Sequence, residues 1–206
     1  MDLLEKSIIA VVVLVAIFGI IYYLIVHFGI SQSVTESQAV SLVLSDIKNT
    51  NPNAVVNVTN VTPSQFPGSW HILLTVIYNA TSPCPSFYAL SFDYPKYGFV
   101  SRVENNYTSN CIVHGLANNS NYIIAAAPVA ITRIYSFPAA QEYIHRFGYS
   151  NVSASALFYK NASVLGKNYT SVWEVTYTSP TASYSEKFYI TQVGGNLIAN
   201  YSIPTS

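Results

Sequence analysis

The sequence of 206 residues predicts an α+β fold: an N-terminal transmembrane helix followed by two repeated units, each one helix packed on a small antiparallel sheet. Three observations predict it: an uncharged apolar run near the start, a helical pattern that recurs after about 100 residues, and a series of strand-like segments behind each helix. Only 9% of the residues are charged, against about 25% in an ordinary soluble domain. The formal net charge of zero argues against nucleic acid as a partner.

The apolar run covers residues 7–28, after a short start, residues 1–6, that we expect to be cytoplasmic. A helix of this length extends about 33 Å, enough to cross a hydrocarbon core of about 30 Å. The run is too long for the apolar part of a cleaved signal peptide, and the residues before it are not basic. The sequence therefore predicts a single uncleaved span that contacts the lipid bilayer.

The orientation of this span follows from the N-glycosylation sequons, which all lie after it. Chance would give roughly three of them, so their excess favours glycosylation, although Asn- and Ser-rich loops generate some sequons by accident. We therefore expect a single-pass protein of the cell membrane, with its N-terminus inside and a C-terminal ectodomain outside, and favour an archaeal envelope as its source. The sequons begin at Asn57, Asn60, Asn79, Asn106, Asn118, Asn151, Asn161, Asn168 and Asn200.

The two cysteines, Cys84 and Cys111, also lie after the apolar run, and neither belongs to a C-x-x-C motif. In an oxidising exterior they would form a disulfide, and closing that loop would contribute about 3–4 kcal/mol to stability. Two buried free thiols are the alternative.

The first repeated unit is predicted over residues 34–111. Thr35 and Gln38 have the spacing of a capping box. One helical face follows, and then four strands. The face consists of Val40, Val43, Leu44 and Ile47, and the strands of Ala54–Thr62, Trp70–Tyr78, Phe87–Phe92 and Phe99–Val103.

The second unit is predicted over residues 136–206, with a helix that starts at Ser136, has Pro138 in its first turn and ends at Gly148. Its face repeats that of the first helix 100 positions later. We interpret residues 112–135 as an extended, partly buried connector, because Pro128 interrupts their apolar run. The face consists of Ala140, Tyr143, Ile144 and Phe147, and the strands of Val152–Tyr159, Ser171–Thr178, Ser183–Thr191 and Asn196–Tyr201.

This order of elements resembles the PepSY domain, in tandem. In the first unit the resemblance is carried by Glu36–Ile47, Trp70–Val76, Phe87–Asp93 and the turn Tyr97-Gly98-Phe99-Val100. In the second it is carried by Ala139–Phe147, Val172–Tyr177, Phe188–Thr191 and Gly194-Gly195-Asn196-Leu197. The second unit has no counterpart of Asp93. The resemblance implies a binding or regulatory module and supplies no catalytic residues.

The start MDLLEKSIIAVVV resembles the mature N-terminus of type IV pilins, in which a glutamate precedes an apolar helix. That resemblance implies the alternative function, a subunit of an extracellular filament, with Glu5 neutralising the N-terminus of a neighbouring subunit. The partner would then be further copies of this chain.

We find no sequence motif for catalysis, a metal or a cofactor. The histidines His27, His71, His114 and His145 have no metal-ligand spacing, and no P-loop, G-x-G-x-x-G or G-x-S-x-G is present. We therefore expect a non-enzymatic, glycosylated surface protein without metal or cofactor, whose binding or regulatory ectodomain recognises an unidentified surface protein or glycan.

Overall fold

The computed structural model describes residues 16–20, 34–116 and 119–205. Its helices and strands form two antiparallel sheets, one of five strands and one of four, in which neighbouring strands are consecutive in the chain. The elements in chain order are α1 (16–20), α2 (Glu36–Thr50), β1 (Val55–Pro63), β2 (Trp70–Tyr78), β3 (Ser86–Tyr94), β4 (Ser101–Ser109), β5 (Ile112–Val113), α3 (Ala127–Tyr135), α4 (Pro138–Phe147), a 3-10 turn (Tyr149–Asn151), β6 (Ser153–Val164), β7 (Lys167–Thr178), β8 (Tyr184–Thr191) and β9 (Leu197–Pro204).

Helix α2 packs on one face of the first sheet, which consists of β1 to β5. The predicted capping box is confirmed: Thr35 N–H donates to Gln38 Oε1 at 3.0 Å, and Gln38 N–H donates to Thr35 Oγ1 at 3.4 Å. These bonds satisfy backbone donors that the first helical turn leaves unpaired. The first core joins one stripe of the helix to β2 and β3, and its buried members are Ala39, Val43, Ile47, Ile72, Leu74, Val76, Leu90 and Phe92.

Helices α3 and α4 pack on the second sheet, which consists of β6 to β9. Gly148 ends α4 with a φ of 83°, a conformation that costs glycine little, as the sequence predicts. The second core alternates along β7 and β8, so that every second side chain of these strands faces the helices. Its buried members on the two strands are Trp173, Val175, Tyr177, Phe188 and Ile190.

Helix α3 also joins the two sheets, and this finding corrects the prediction of an extended connector over residues 112–135. The helix contacts strands β3, β4 and β5 of the first sheet and β6 and β7 of the second. Phe87 and Val113 of the first sheet therefore belong to the same core as Ile134 of the helix. Pro128 does not break α3 because it occupies the first turn, where its missing N–H has no intrahelical partner to lose.

The predicted fold class is wrong in two respects that concern the two units. The first sheet contains a fifth strand, β5, and the second sheet carries two helices where one was expected. The short β5 pairs with β4 through Thr108–Val113 and Ser109–Ile112, directly around the bend at Cys111. The two halves are thus not copies of one helix on a four-stranded sheet.

The third correction concerns the membrane. Of the predicted span, residues 7–28, only residues 16–20 are described, and residues 1–6 lie outside the described part altogether. Across residues 16–20, 34–116 and 119–205, the structure contains no helix with the length and hydropathy of a membrane span. This finding overturns the predicted transmembrane helix, and with it the single-pass protein of the cell membrane with its N-terminus inside and its ectodomain outside.

Candidate functional site

A cleft of about 480 Å³ lies where the two sheets meet. We call it the junction cleft. The first half of the chain contributes the aliphatic residues Ile112, Val113 and Leu116, which we call the first wall, and the second half contributes the polar residues Arg133, Ser136 and Asn196, which we call the second wall. These residues come from the end of the first sheet, from helix α3 and from the turn between β8 and β9, so the cleft depends on the contact between the two halves.

The first wall of the cleft is held by the disulfide between Cys84 and Cys111, which forms as the sequence predicts. The carbonyl oxygen of Pro85, next to this disulfide, accepts two buried hydrogen bonds. Thr108 Oγ1 in β4 donates to it at 3.1 Å, and the Thr132 hydroxyl in α3 shares its one hydrogen between this carbonyl, at 3.2 Å, and the Pro128 carbonyl of its own helix, at 2.9 Å. Because buried polar groups are costly unless paired, these bonds fix the wall of the cleft to the helix.

The second wall includes part of the tight turn at Gly194 and Gly195, which have φ angles of 73° and 58°. A Cβ at Gly194 would lie 2.7 Å from the carbonyl oxygen of Ser120, and one at Gly195 would lie 2.9 Å from Arg133 Cγ. The sequence predicts a turn here, but the structure adds that the turn packs directly on the cleft, so that glycine is required for space as well as for φ.

Arg133 is the one charged side chain among the described residues that line the cleft. Its Nε–H donates to the Gly195 carbonyl at 3.0 Å, its Nη1 donates to Ser136 Oγ at 2.9 Å, and its guanidinium lies 4.6 Å from the Phe137 ring centroid. Partial burial lowers the pKa of the Arg133 guanidinium, which nevertheless stays charged at neutral pH because arginine starts above 12. In the described part of the chain, no ion pair includes Arg133.

The guanidinium group therefore keeps donors that no described residue accepts. It has five N–H groups, and the two hydrogen bonds above use two of them, which leaves three without a partner in the described part of the chain. Ser136 contributes to the orientation of the group, because its hydroxyl also donates to the Arg133 carbonyl at 2.8 Å. The arrangement is a fixed cation at the edge of an aliphatic cleft, which suits the recognition of an anionic group.

Two pairs of serine and histidine lack the order of a hydrolytic triad, in which serine bonds to a histidine that a carboxylate orients. Ser64 Oγ donates to Asp93 Oδ1 at 2.9 Å, and His71 Nδ1 lies 3.1 Å from the same oxygen, so that the carboxylate stands between the two. Ser109 Oγ lies 2.6 Å from His114 Nε2, but this pair is exposed. Among the described residues, no carboxylate forms an ion pair with His114.

The predicted sequons do not form one site, since they are spread over both halves. Among those that the structure describes, Asn106 differs from the others because it is half-buried, and its Oδ1 is buried without a hydrogen-bond partner in the described part of the chain. Asn118 and Glu5 lie outside the described residues. The exposed sequon asparagines are Asn57, Asn60, Asn79, Asn151, Asn161, Asn168 and Asn200.

Sequence reasoning missed the junction cleft and Arg133. One signal for the arginine was present: Arg133 is the single Lys, Arg, Asp or Glu in residues 112–135. A single charged side chain in an apolar helix must either reach solvent or be paired inside the protein, because an unpaired buried charge is costly. The partners of Arg133 were not accessible to this reasoning, because Gly195 lies 62 positions away.

Comparisons with models of protein families, with curated proteins and with solved structures found no match. The resemblances to PepSY domains and to type IV pilins therefore stay predictions. The fold and the cleft define a disulfide-bonded protein of two antiparallel sheets, joined by a shared helix, with a cationic cleft at the junction.

Proposed function

We propose that this protein is a binding or regulatory module that recognises a partner in the junction cleft and does not catalyse a reaction on it. The observation that carries the proposal is Arg133, a partly buried cation that keeps three N–H donors without a partner among the described residues and that shares its cleft with aliphatic side chains. An unpaired charge in a partly desolvated site is unfavourable for folding, so its presence is better explained by an interaction with a bound group.

The geometry of the hydroxyl groups supports binding over catalysis. Ser136 Oγ donates to a backbone carbonyl and accepts from Arg133, so its proton and one of its lone pairs are engaged in structural bonds. A nucleophilic serine needs a base that removes its proton. The exposed pair of Ser109 and His114 is the one serine–histidine contact near this end of the described structure, and it lacks an orienting carboxylate among the described residues.

The disulfide supports a role in an oxidising compartment, since such bonds persist in secreted and extracellular proteins and are rare in the cytosol. The exposed sequons are consistent with that compartment. The alternative of a filament subunit stays a prediction, because Glu5, on which it depends, lies outside the described residues.

The proposal is tested by screening a library of small fragments against the ¹⁵N-labelled protein by NMR. We expect the amide shifts of bound fragments to cluster at Ile112, Leu116, Arg133 and Asn196. Ser136→Trp, which places a large side chain at an exposed position on the rim, should suppress them, while Ser150→Trp on the 3-10 turn should not. Fragments that shift other surfaces, or none at all, would contradict the proposal.

A separate experiment tests whether the protein lacks an activated serine nucleophile. It uses a fluorophosphonate probe, which labels serines that a neighbouring base activates. We expect no covalent adduct at Ser109 or Ser136 by peptide mass spectrometry, with a known serine hydrolase labelled in parallel. An adduct at either serine would show an activated nucleophile and would overturn the non-catalytic part of the proposal.

A further inference from the structure

We infer that the group bound in the junction cleft is a carboxylate that carries an aliphatic neighbour, and specifically the C-terminal residue of a polypeptide. This inference rests on the proposed function, because it names the ligand of the same cleft.

The charge of the cleft matches a monoanion. Arg133 is the one charged group of the described lining, and one guanidinium neutralises one carboxylate. A phosphate dianion at the same place would keep a negative charge without a cation near it in the described structure. The planar fork of arginine also matches the two oxygens of a carboxylate, which form a bidentate pair of short, charge-assisted hydrogen bonds.

The donors of Arg133 that remain unused are grouped on one part of the side chain. Nε–H donates to the Gly195 carbonyl and one hydrogen of Nη1 to Ser136, so the second hydrogen of Nη1 and both hydrogens of Nη2 have no partner among residues 16–20, 34–116 and 119–205. Because these two bonds and the Phe137 ring fix the guanidinium, little side-chain entropy is lost when a ligand binds. The site is thus preorganised for one anionic group.

The aliphatic lining determines what stands next to that group. Ile112 is 57% exposed, and it lines the same cleft as the arginine, together with Val113 and Leu116. Covering an exposed isoleucine by an aliphatic side chain is favourable at about 25 cal/mol per Å² of apolar surface removed from water. The described lining contains no aromatic ring on which a base or a sugar ring would stack. A polypeptide end with an aliphatic last residue satisfies both walls at once.

The experiment uses a hexapeptide that ends in alanine–leucine, with a free carboxylate or with a C-terminal amide, titrated into the ¹⁵N-labelled protein. We expect the free acid to bind at least about ten times more tightly than the amide, with shifts at the cleft. Arg133→Gln should remove this preference, and Arg133→Lys should retain part of it. Spectra and thermal melting of each variant check that it is folded.

A second pair of variants leaves Arg133 untouched. Ile112→Glu places a negative charge on the aliphatic wall and should weaken binding of the free-acid peptide at least tenfold. Ile112→Gln has the same shape as Ile112→Glu but no charge. It should weaken binding of the acid and of the amide by similar, smaller factors. Position 112 is exposed, so both variants should fold.

Each outcome has a distinct meaning. Equal binding of acid and amide in the cleft would overturn this inference and leave the proposed function standing. Tighter binding of galacturonate or of inorganic phosphate at the same residues would overturn the assignment to a polypeptide end. If neither the peptides nor the fragment library shift the cleft residues, both the inference and the proposed function fail.

Discussion

Replacing Tyr177 with phenylalanine should make this protein more stable. The Tyr177 side chain is fully buried in the second core, and its hydroxyl has no hydrogen-bond partner within the described residues. An unpaired buried hydroxyl costs about 1–3 kcal/mol relative to the unfolded chain, where water solvates it. The phenyl ring would keep the contacts with Phe188 and Tyr143, whose ring centroids lie at 5.5 and 6.3 Å. Allowing for the contacts of the removed oxygen, we expect a gain of about 1 kcal/mol.

Tyr143 provides the matched control. It is buried in the same core, but its hydroxyl donates to the Tyr184 carbonyl at 2.9 Å. Tyr143→Phe removes that bond and leaves a carbonyl without its donor, so we expect a loss of about 1 kcal/mol. The same atom is deleted in both variants, and the sign of the change depends on whether that atom had a partner.

Urea denaturation followed by tryptophan fluorescence measures both changes in the free energy of unfolding, and thermal melting gives shifts of about 2–4 °C per kcal/mol for a chain of this size. A loss of more than about 0.5 kcal/mol for Tyr177→Phe would show that the hydroxyl is paired, for example with a buried water. A gain for Tyr143→Phe would equally contradict the reasoning.

Three further predictions follow from the described contacts. The hydrogen bond to Glu174 raises the pKa of Lys187 above its usual value of 10.5. The stability that this pair contributes to the fold is therefore complete below pH 10.5 and is lost as the pH rises through the raised pKa. Urea denaturation at rising alkaline pH should show this loss, and the Lys187→Met variant should lose less stability over the same range. Gly194→Ala should lower the melting temperature more than Gly166→Ala, because both positions have positive φ but only the first places a Cβ 2.7 Å from a carbonyl oxygen; equal shifts would contradict the steric argument. Peptide mapping of the protein from its native host should find no glycan at Asn106, the half-buried sequon, and an occupied Asn106 would refute the role of burial.

Local signals in the sequence predicted the elements that depend on local chemistry. Strand β2 runs from Trp70 to Tyr78, as predicted, because alternating apolar residues between Gly- and Asn-containing loops specify a half-buried strand. The capping box at Thr35 and the helix end at Gly148 were equally readable, because each requires residues within four positions of one another. The disulfide followed from the presence of just two cysteines.

The errors arose where distant parts of the chain decide the structure. Most residues of helix α3 are buried, since both sheets cover it, and a short apolar segment of this kind is hard to distinguish from a buried extended stretch by its sequence pattern alone. Pro128 was interpreted as a break, but a proline in the first helical turn is tolerated. The repeated spacing of the two halves was a real regularity of the sequence, yet it did not anticipate β5 or the second helix on the second sheet.

The candidate site was even less accessible to sequence reasoning. Its walls come from positions near 112, 133 and 195, and no local motif connects them. The isolated charge of Arg133 was visible, but its fixed orientation depends on the carbonyl of Gly195 and on the hydroxyl of Ser136. Such long-range contacts can be obtained only from the fold.

The position of helix α3 has a consequence for how the molecule tolerates change. Since the nine residues of α3 contact strands of both sheets, the core that contains Ile134 is closed by residues from both halves, and Ala130, which is fully inaccessible to water, has no side on which a larger residue would fit. A random library spread evenly over the chain should thus yield its fewest folded survivors between Val129 and Ile134. Because the same helix packs against both sheets, a group that binds in the junction cleft should influence the stability of both halves.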